Sequence, residues 1–293
     1  MVIKQKTRIF KEHNYKAIYR NYKTYRYYLN DKEPITELLY PEFYDVKITN
    51  KCDGKCQYCY MDSKSDSYHF SNILEKIDNF FGKMNNNQRP FQVAIGGGEP
   101  TMHPDFISIL DKFYKLGITP NYTTNGIELN KDIIKATKKY CGGVAISCHN
   151  HLKKYWEKSV NELINNNINL NFHIVIYDKN SINNFINLYK LYKGKISYFV
   201  LLPYIVSGRA PERKIEKEYL FEQLKSLGKF SDIAFGAHFY YDFIKNNMFN
   251  LSLYEPEIFS KYLDMDTMNL YKSSFDTEQK ISYNSLQKIN NSI

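Results

Sequence analysis

The chain has 293 residues, 43% of them hydrophobic and 16% aromatic, which is enough to bury the core of one α/β domain. Its 40 Lys and Arg against 31 Asp and Glu give a formal net charge of +9, without any block of five or more basic residues. Because nucleic-acid binding is diagnosed by clustered charge, the composition disfavours a nucleic-acid partner. The sequence has no run of 18 apolar residues and no signal-peptide pattern, so we expect a cytoplasmic protein without a membrane partner.

Residues 1–43 form a predicted N-terminal extension that is rich in tyrosine and basic residues. Alternation around residues 25–29 predicts a β-hairpin or short strands. Interleaved tyrosine and arginine could stack on bases, although a half-buried sheet is the more common origin of this pattern. The tyrosines are Tyr15, Tyr19, Tyr22, Tyr25, Tyr27 and Tyr28.

From residue 44, strand-like runs alternate with helical periodicity. The predicted strands are 44–50, 91–96, 119–124, 143–148, 170–177 and 196–202. Apolar residues at helical spacing, such as Phe106, Ile109 and Leu110, predict helices between them. Six βα units imply parallel strands with right-handed crossovers.

Residues 211–293 form a predicted C-terminal extension, mainly helical, that packs on this core. Helices are predicted near 215–228 and 238–248, with a short extra strand at 232–235. We find no internal repeat and no long linker.

Three of the five cysteines stand in one short segment, Cys52, Cys56 and Cys59, with the spacing C-x3-C-x2-C. Thiolates suit iron–sulfur clusters and zinc, but a structural zinc site normally takes four protein ligands. Three cysteines therefore favour a cluster with one iron left open, with zinc or a metal-free loop as the alternatives. Clustered, odd-numbered cysteines indicate metal binding in a reducing compartment rather than disulfides.

The cysteine segment, with Tyr58 before its last cysteine, resembles the cluster motif of the radical S-adenosylmethionine (radical SAM) superfamily. Three later blocks resemble further motifs of that superfamily, in the same order. They are Gly-Gly-Gly-Glu-Pro at 96–100, Thr-Asn-Gly at 124–126, and Leu-Leu-Pro-Tyr at 201–204 followed by Gly-Arg at 208–209. The resemblance covers residues 44–210 and is nearest to the peptide-modifying and molybdenum-cofactor-synthase-like branch. No cysteine follows Cys148 to hold C-terminal auxiliary clusters.

This resemblance implies a partial (β/α)6 TIM-like barrel with one [4Fe–4S] cluster on Cys52, Cys56 and Cys59. It implies S-adenosylmethionine (SAM) as the second cofactor and a 5′-deoxyadenosyl radical that abstracts hydrogen from a substrate, preferably a peptide or protein. A small flavodoxin- or ferredoxin-type protein is the expected electron donor. In barrels of this kind the carboxyl ends of the strands carry the chemistry.

The remaining site residues are assigned from the same blocks, and no catalytic side chain is assigned because the radical comes from the cofactors. Glu99 is expected to accept the methionine ammonium of SAM beside the open backbone of Gly97 and Gly98. Alternation places Ser147 and His149 on the inward face of their strand. The other candidates for SAM or substrate contact are Tyr58, Thr124, Asn125, His173 and Leu202.

Each assignment has a structural alternative. The Gly-Glu run alone makes a turn with a solvated glutamate, Asn-Gly also makes turns, and Leu202 could be core. His149 and His173 could be satisfied core histidines. Cys141 and Cys148 are more often small buried hydrophobic residues than hydrogen-donating thiols.

Two rival functions remain open from the sequence. One is a radical SAM enzyme that modifies nucleosides or nucleic acids, which would use the basic balance and the tyrosine-rich N-terminus. The other is a non-catalytic iron–sulfur or electron-carrier protein, which has no need of the glutamate after the glycines.

Overall fold

The structure is a computed structural model that describes residues 6–10, 15–28, 38, 40–213, 217–227, 231–236, 239, 258–275 and 281–282. Almost all of the helix predicted near 238–248 lies outside these residues. No helix in the described ranges is long and apolar enough to cross a membrane.

The main element is a ten-stranded sheet built around the six predicted strands. These are β4 (Phe43–Lys47), β5 (Gln92–Gly96), β6 (Thr119–Thr124), β7 (Val144–Ser147), β8 (Leu170–Ile176) and β9 (Tyr198–Pro203). They pair in sequence order and are all parallel. This arrangement confirms the predicted partial (β/α) barrel.

Helices cover the outer face of these strands. The helices are α1 (Ile73–Ile77), continued by a π-helical turn at Asp78–Gly82, α2 (Phe106–Lys115), α3 (Lys131–Tyr140), α4 (Lys153–Asn165) and α5 (Lys179–Tyr192). Helix α2 buries the predicted stripe of Phe106, Ile109 and Leu110 against the sheet. Short 3-10 turns at Pro100–Met102 and Asn150–Leu152 follow β5 and β7.

Polar caps fix the starts of two of these helices. The Asn130 side chain accepts hydrogen bonds from the backbone N–H groups of Asp132 and Ile133 at the start of α3. Asp178 and Ser181 form a reciprocal capping box at the start of α5. Such caps satisfy amide groups that have no partner within the helix.

The described C-terminal part contains the helix predicted near 215–228 and the strand predicted at 232–235, and it adds strands that were not predicted. It contributes the helix α6 (Lys217–Ser226) and four strands, β10 (Ile233–Phe235), β11 (Ser260–Asp264), β12 (Asn269–Tyr271) and β13 (Ile281–Ser282). Strand β10 extends the parallel sheet beyond β9, and β11 pairs in parallel with β4 at the other edge. Strands β12 and β13 continue that edge as antiparallel neighbours.

Near the N-terminus, β1 (Lys6–Phe10), β2 (Tyr15–Arg20) and β3 (Lys23–Tyr28) form a separate three-stranded antiparallel sheet where a hairpin was expected. It packs against the amino ends of the barrel strands. Tyr19 stacks on Phe91 at a centroid distance of 5.6 Å, and Arg26 pairs with Glu42 at 2.7 Å. This contact lies at the end of the barrel opposite the cysteine segment.

Candidate active site

A cavity of about 430 Å³ opens at the carboxyl ends of the barrel strands. Its volume lies in the usual range for small-molecule sites. Every cluster- or cofactor-binding residue predicted from the sequence lines this cavity. These are Cys52, Cys56, Tyr58, Cys59, Gly97, Gly98, Glu99, Thr124, Asn125, Ser147, His149, His173 and Leu202.

The cysteine loop directly follows β4, and backbone bonds such as Cys52 N–H to the Lys64 carbonyl (2.9 Å) hold its base. The Gly54 N–H donates to the Cys52 sulfur at 3.4 Å. A Cβ placed on Gly54 would lie 3.4 Å from the sulfur of Cys52 and 3.7 Å from that of Cys56, so both thiols surround the same point. Three thiols that line one cavity fit the donor set of an iron–sulfur cluster.

The protein by itself keeps two of these thiols protonated. Burial raises the pKa of Cys52 to about 11 and that of Cys56 to about 12. A bound metal is what deprotonates a coordinating thiol at such a site. Among the described residues, no group of three or more His, Cys, Asp and Glu side chains is arranged to hold a single metal ion.

The glycine run lies against the backbone that enters the cysteine loop. The N–H of Gly98 donates to the Thr49 carbonyl and that of Glu99 to the Lys51 carbonyl, both at 2.8 Å. A Cβ on Gly97 or Gly98 would collide with these two carbonyls, whereas one on Gly96 would meet nothing within 4 Å. Two glycines thus permit close backbone packing, and Gly96 keeps space open in the cavity.

Glu99 is buried and bridges the ends of β5 and β6. Its Oε1 accepts from the hydroxyl (2.6 Å) and the N–H (3.2 Å) of Thr101, and its Oε2 accepts from the N–H of Asn125 (2.7 Å). Burial nevertheless raises the pKa of this carboxyl to about 7. These three donors give Glu99 a structural role that the sequence did not indicate, and its contact with SAM stays a prediction.

The Thr-Asn-Gly segment joins β6 to the cysteine loop. The Asn125 side-chain amide donates to Asp53 at 2.8 Å, which connects it to the residue after Cys52. The Thr124 hydroxyl accepts from the N–H of Gly126 at 3.1 Å, which shapes the turn.

Two histidines after β7 also reach toward the loop. His149 Nδ1 shares a 3.0 Å hydrogen bond with the Tyr58 hydroxyl, and burial lowers the pKa of His149 to about 4, so the ring is neutral. His151 Nε2 lies 2.8 Å from the Gly54 carbonyl. His149 was predicted from the sequence, but His151 was not, because it lies in the 3-10 turn Asn150–Leu152 beyond the strand alternation.

Ser147 and His173 stand opposite each other on the neighbouring strands β7 and β8. Both face the cavity, and burial lowers the pKa of His173 to about 4. Cys148 points to the other face of β7, where its thiol is buried and contacts the Ile146 carbonyl at 3.6 Å. Neither Cys148 nor Cys141 lines the cavity, which fits the interpretation of small hydrophobic residues.

Arg209 holds the cysteine loop from the far side of the barrel mouth. Its Nε donates to the Cys56 carbonyl at 2.7 Å, and another guanidinium nitrogen donates to the Ser63 carbonyl at 2.8 Å. Gly208, with a φ of +60°, brings the backbone so close that a Cβ there would lie 2.5 Å from the Tyr60 carbonyl oxygen. In the sequence, Gly208 and Arg209 were only part of a motif. In the structure they hold the cysteine loop in place, and we call this pair the clamp.

The C-terminal segment closes another side of the cavity with residues 272–275. The Tyr60 hydroxyl donates to Ser274 at 3.3 Å, and the Tyr60 and Phe275 rings lie 4.6 Å apart. Asp45 and Tyr262, from β4 and β11, also line the cavity. The sequence did not indicate Tyr262 because β11 was not predicted.

Three loop cysteines and a glycine–glutamate turn lie at one cavity, at the carboxyl ends of parallel strands. This is the arrangement that the sequence motifs predicted for a radical SAM site. Residues 46–174 match the family model for the radical SAM superfamily. This stretch of the chain is therefore similar to the radical SAM superfamily, and the match covers less than half of the 293 residues.

Three curated relatives match short parts of the chain. A GTP 3′,8-cyclase of Photorhabdus laumondii is 30% identical over 34% of this chain and 32% of its own length. A 7-carboxy-7-deazaguanine synthase of Halobacterium salinarum is 28% identical over 32% and 39%. The mycofactocin maturase MftC of Mycobacterium ulcerans is 30% identical over 30% and 23%. The matches thus span well under half of each relative.

Solved structures share the fold over most of the chain. SuiB of Streptococcus suis bound to S-adenosylmethionine superposes with a TM-score of 0.65 and 16% identity, covering 84% of this chain and 64% of SuiB. Native anSMEcpe with bound AdoMet and a peptide gives a TM-score of 0.59 at 17% identity, covering 84% and 80%.

Proposed function

We propose that this protein is a radical SAM enzyme that modifies a peptide or protein. One observation carries the proposal: three loop cysteines and the Gly-Gly-Gly-Glu turn line a single cavity at the carboxyl ends of parallel strands. The similarity to the radical SAM superfamily and the enzyme names of the relatives support catalysis over a purely electron-carrying role. We further propose residues 44–210 as the catalytic core, with 1–43 and 211–293 as extensions.

Cys52, Cys56 and Cys59 would hold three irons of the cluster, and the fourth iron would bind SAM. When bound, these cofactors supply a 5′-deoxyadenosyl radical that takes a hydrogen atom from the substrate. The protein's own contribution is to position the cofactors and the substrate and to exclude water from the cavity. Arg209, Asp53 and His151 fix the cysteine loop, and the Glu99 bridge keeps the ends of β5 and β6 together.

We assign the walls of the cavity to SAM and substrate. Gly97, Gly98 and Glu99 are proposed to meet the methionine end of SAM, with Tyr58 and Leu202 beside the adenine. We propose that the ribose of SAM or the substrate contacts other residues that line the same cavity. These are Thr124, Asn125, Ser147, His149 and His173.

Two comparisons favour a peptide substrate. SuiB, which shares the fold, was solved with its precursor peptide SuiA, and MftC is named as a maturase. A nucleotide substrate is the second candidate, because two relatives are named GTP 3′,8-cyclase and 7-carboxy-7-deazaguanine synthase. We propose a flavodoxin- or ferredoxin-type protein as the electron donor. We also propose the reducing cytoplasm as the location, which suits the five free cysteines.

The test is anaerobic reconstitution followed by reduction with dithionite in the presence of SAM. We expect slow release of 5′-deoxyadenosine from the wild type and from Cys141→Ala, and none from Cys56→Ala. Short peptides should accelerate release more than nucleotides or RNA. Stimulation by nucleotides or RNA alone would move the assignment to the second candidate, and an intact cluster with bound SAM but no cleavage would favour a carrier.

A further inference from the structure

Asp45 is an acid in the wall of the cavity that the proposed function leaves unused. On β4 its neighbours Tyr44 and Val46 point into the core, so Asp45 points to the inside of the barrel. The residue is exposed, and it lines the same cavity as the cysteines. It therefore lies in the same chamber as the proposed cofactor site.

The space next to Asp45 is open on one side and aromatic on the other. On β5 its direct neighbour is Ala94, and two pairs further along the strands stands Gly96, where a Cβ would meet nothing within 4 Å. On β11 its direct neighbour is Tyr262. Tyr60, which follows the last cysteine of the loop, is close enough for the Asp45 charge to affect its pKa.

Within the described part of the chain, nothing neutralises this carboxyl. Asp45 has no hydrogen bond or ion pair there, in contrast to Glu99, which accepts from Thr101 and Asn125. The cavity's histidines, His149 and His173, are neutral and carry no compensating charge.

An unpaired carboxylate in the wall of a cavity is available to a ligand. The side chain is exposed to the cavity, and the protein atoms around it still raise the pKa of Asp45 to about 7. Ionisable groups with a shifted pKa in a cleft are concentrated at functional sites. A carboxylate beside aromatic rings is complementary to an ammonium or guanidinium group.

We propose that Asp45 is the substrate-recognition residue of the cavity and that it binds a positively charged side chain, lysine or arginine, of the peptide substrate. This inference rests on the proposed function, because it assumes that a peptide segment enters the barrel. The site would select among peptides, whereas the cysteine loop and Glu99 would serve any substrate.

The test compares two probes that differ only in charge. Nα-acetyl-lysine methylamide and its norleucine analogue are titrated into anaerobic, cluster-reconstituted, SAM-loaded protein, and binding is followed by saturation-transfer NMR and calorimetry. We expect the lysine probe to bind the wild type about tenfold more tightly or better, the scale of a hydrogen bond to a charged group. Asp45→Asn should remove this preference, while the surface control Glu162→Gln should keep it.

Three results would overturn the inference: equal binding of the probes, a preference that survives in Asp45→Asn, or no binding of either probe. Iron content and thermal unfolding show whether Asp45→Asn is folded, and Asp45→Ala provides a second variant. A loss of SAM affinity in Asp45→Asn would assign the carboxylate to SAM instead. Binding of the probes is measured without turnover, so the two ideas can fail separately. If the protein cleaves SAM but does not prefer the lysine probe, only this inference is wrong. If it prefers the lysine probe but does not cleave SAM, only the proposed function is wrong.

Discussion

Arg209 should determine how firmly the cysteine loop is held. Its guanidinium makes two hydrogen bonds to loop carbonyls, those of Cys56 at 2.7 Å and Ser63 at 2.8 Å. A hydrogen bond to a charged group contributes about 1.5–3 kcal/mol. The ion pair with exposed Asp62 adds little. Arg209→Ala should therefore destabilise the ordered loop by about 3 kcal/mol, which lowers its population relative to open states on the order of a hundredfold.

The assay is iron release to a chelator from the reconstituted protein, followed by the loss of cluster absorbance without oxygen. Arg209→Ala should release iron at least about tenfold faster than the wild type, since only open loop conformations expose the metal. Arg209→Lys should fall between the two, because an ammonium group lacks the planar fork that reaches two carbonyls.

A matched control separates loop order from general stability. Arg89 also donates to backbone carbonyls, those of Met84 and Leu116 among them, but it lies away from the cysteine loop. Arg89→Lys should lower the unfolding temperature without accelerating iron release well below that temperature. The role of Arg209 would be refuted if Arg209→Ala released iron no faster than the wild type. It would also be refuted if Arg89→Lys released iron faster than Arg209→Ala.

Three further predictions concern single positions in or near the cavity. Gly208→Ala should lower cluster loading, measured as iron per chain, because its Cβ would lie 2.5 Å from the Tyr60 carbonyl oxygen. Gly194→Ala is the control, since Gly194 also has a positive φ (+78°) but lies in open space, so this change should only destabilise the fold. Equal iron loading of the two variants would contradict the prediction. Glu99→Ala should weaken SAM binding by about 1.5–3 kcal/mol by calorimetry while the cluster stays, and unchanged affinity would argue against the contact. The raised pKa of Asp45 means that its stabilising contribution is complete below its usual value of 3.8 and is lost as the pH rises through about 7. Asp45→Asn should therefore raise the unfolding temperature more at pH 8 than at pH 5, by a small amount because the side chain is exposed to the cavity. Tyr60 and Tyr262, which face Asp45, titrate far above this range, and the opposite trend would contradict the raised pKa.

The barrel core was predictable because its signals are local. Strand alternation and helix periodicity between residues 44 and 210 predicted six parallel strands, and the structure has them in that order. The inward positions of Ser147 and His149 followed from alternation along one strand. Motifs at strand ends then placed the cysteines and the glycine run in one cavity.

What the sequence did not reveal depends on distant pairing. Strand β11 is short, and its partner β4 lies more than 200 positions earlier, as the Lys47–Asp264 contact shows. Without β11, nothing indicated that Tyr262 stands beside Asp45. Likewise the role of Glu99 as a bridge needs the Asn125 N–H, 26 residues away, and the clamp needs Arg209 to return to a loop about 150 residues earlier.

The central claim is that Cys52, Cys56 and Cys59 together hold one four-iron cluster. The most direct measurement is the iron, sulfide and zinc content of the anaerobically reconstituted wild type beside single alanine variants of these residues and Cys141→Ala. We expect about four irons and four sulfides per chain in the wild type and in Cys141→Ala, and loss of the cluster in each of the other three variants. Stoichiometric zinc without sulfide, a second cluster, or a cluster that survives any of those three substitutions would contradict it.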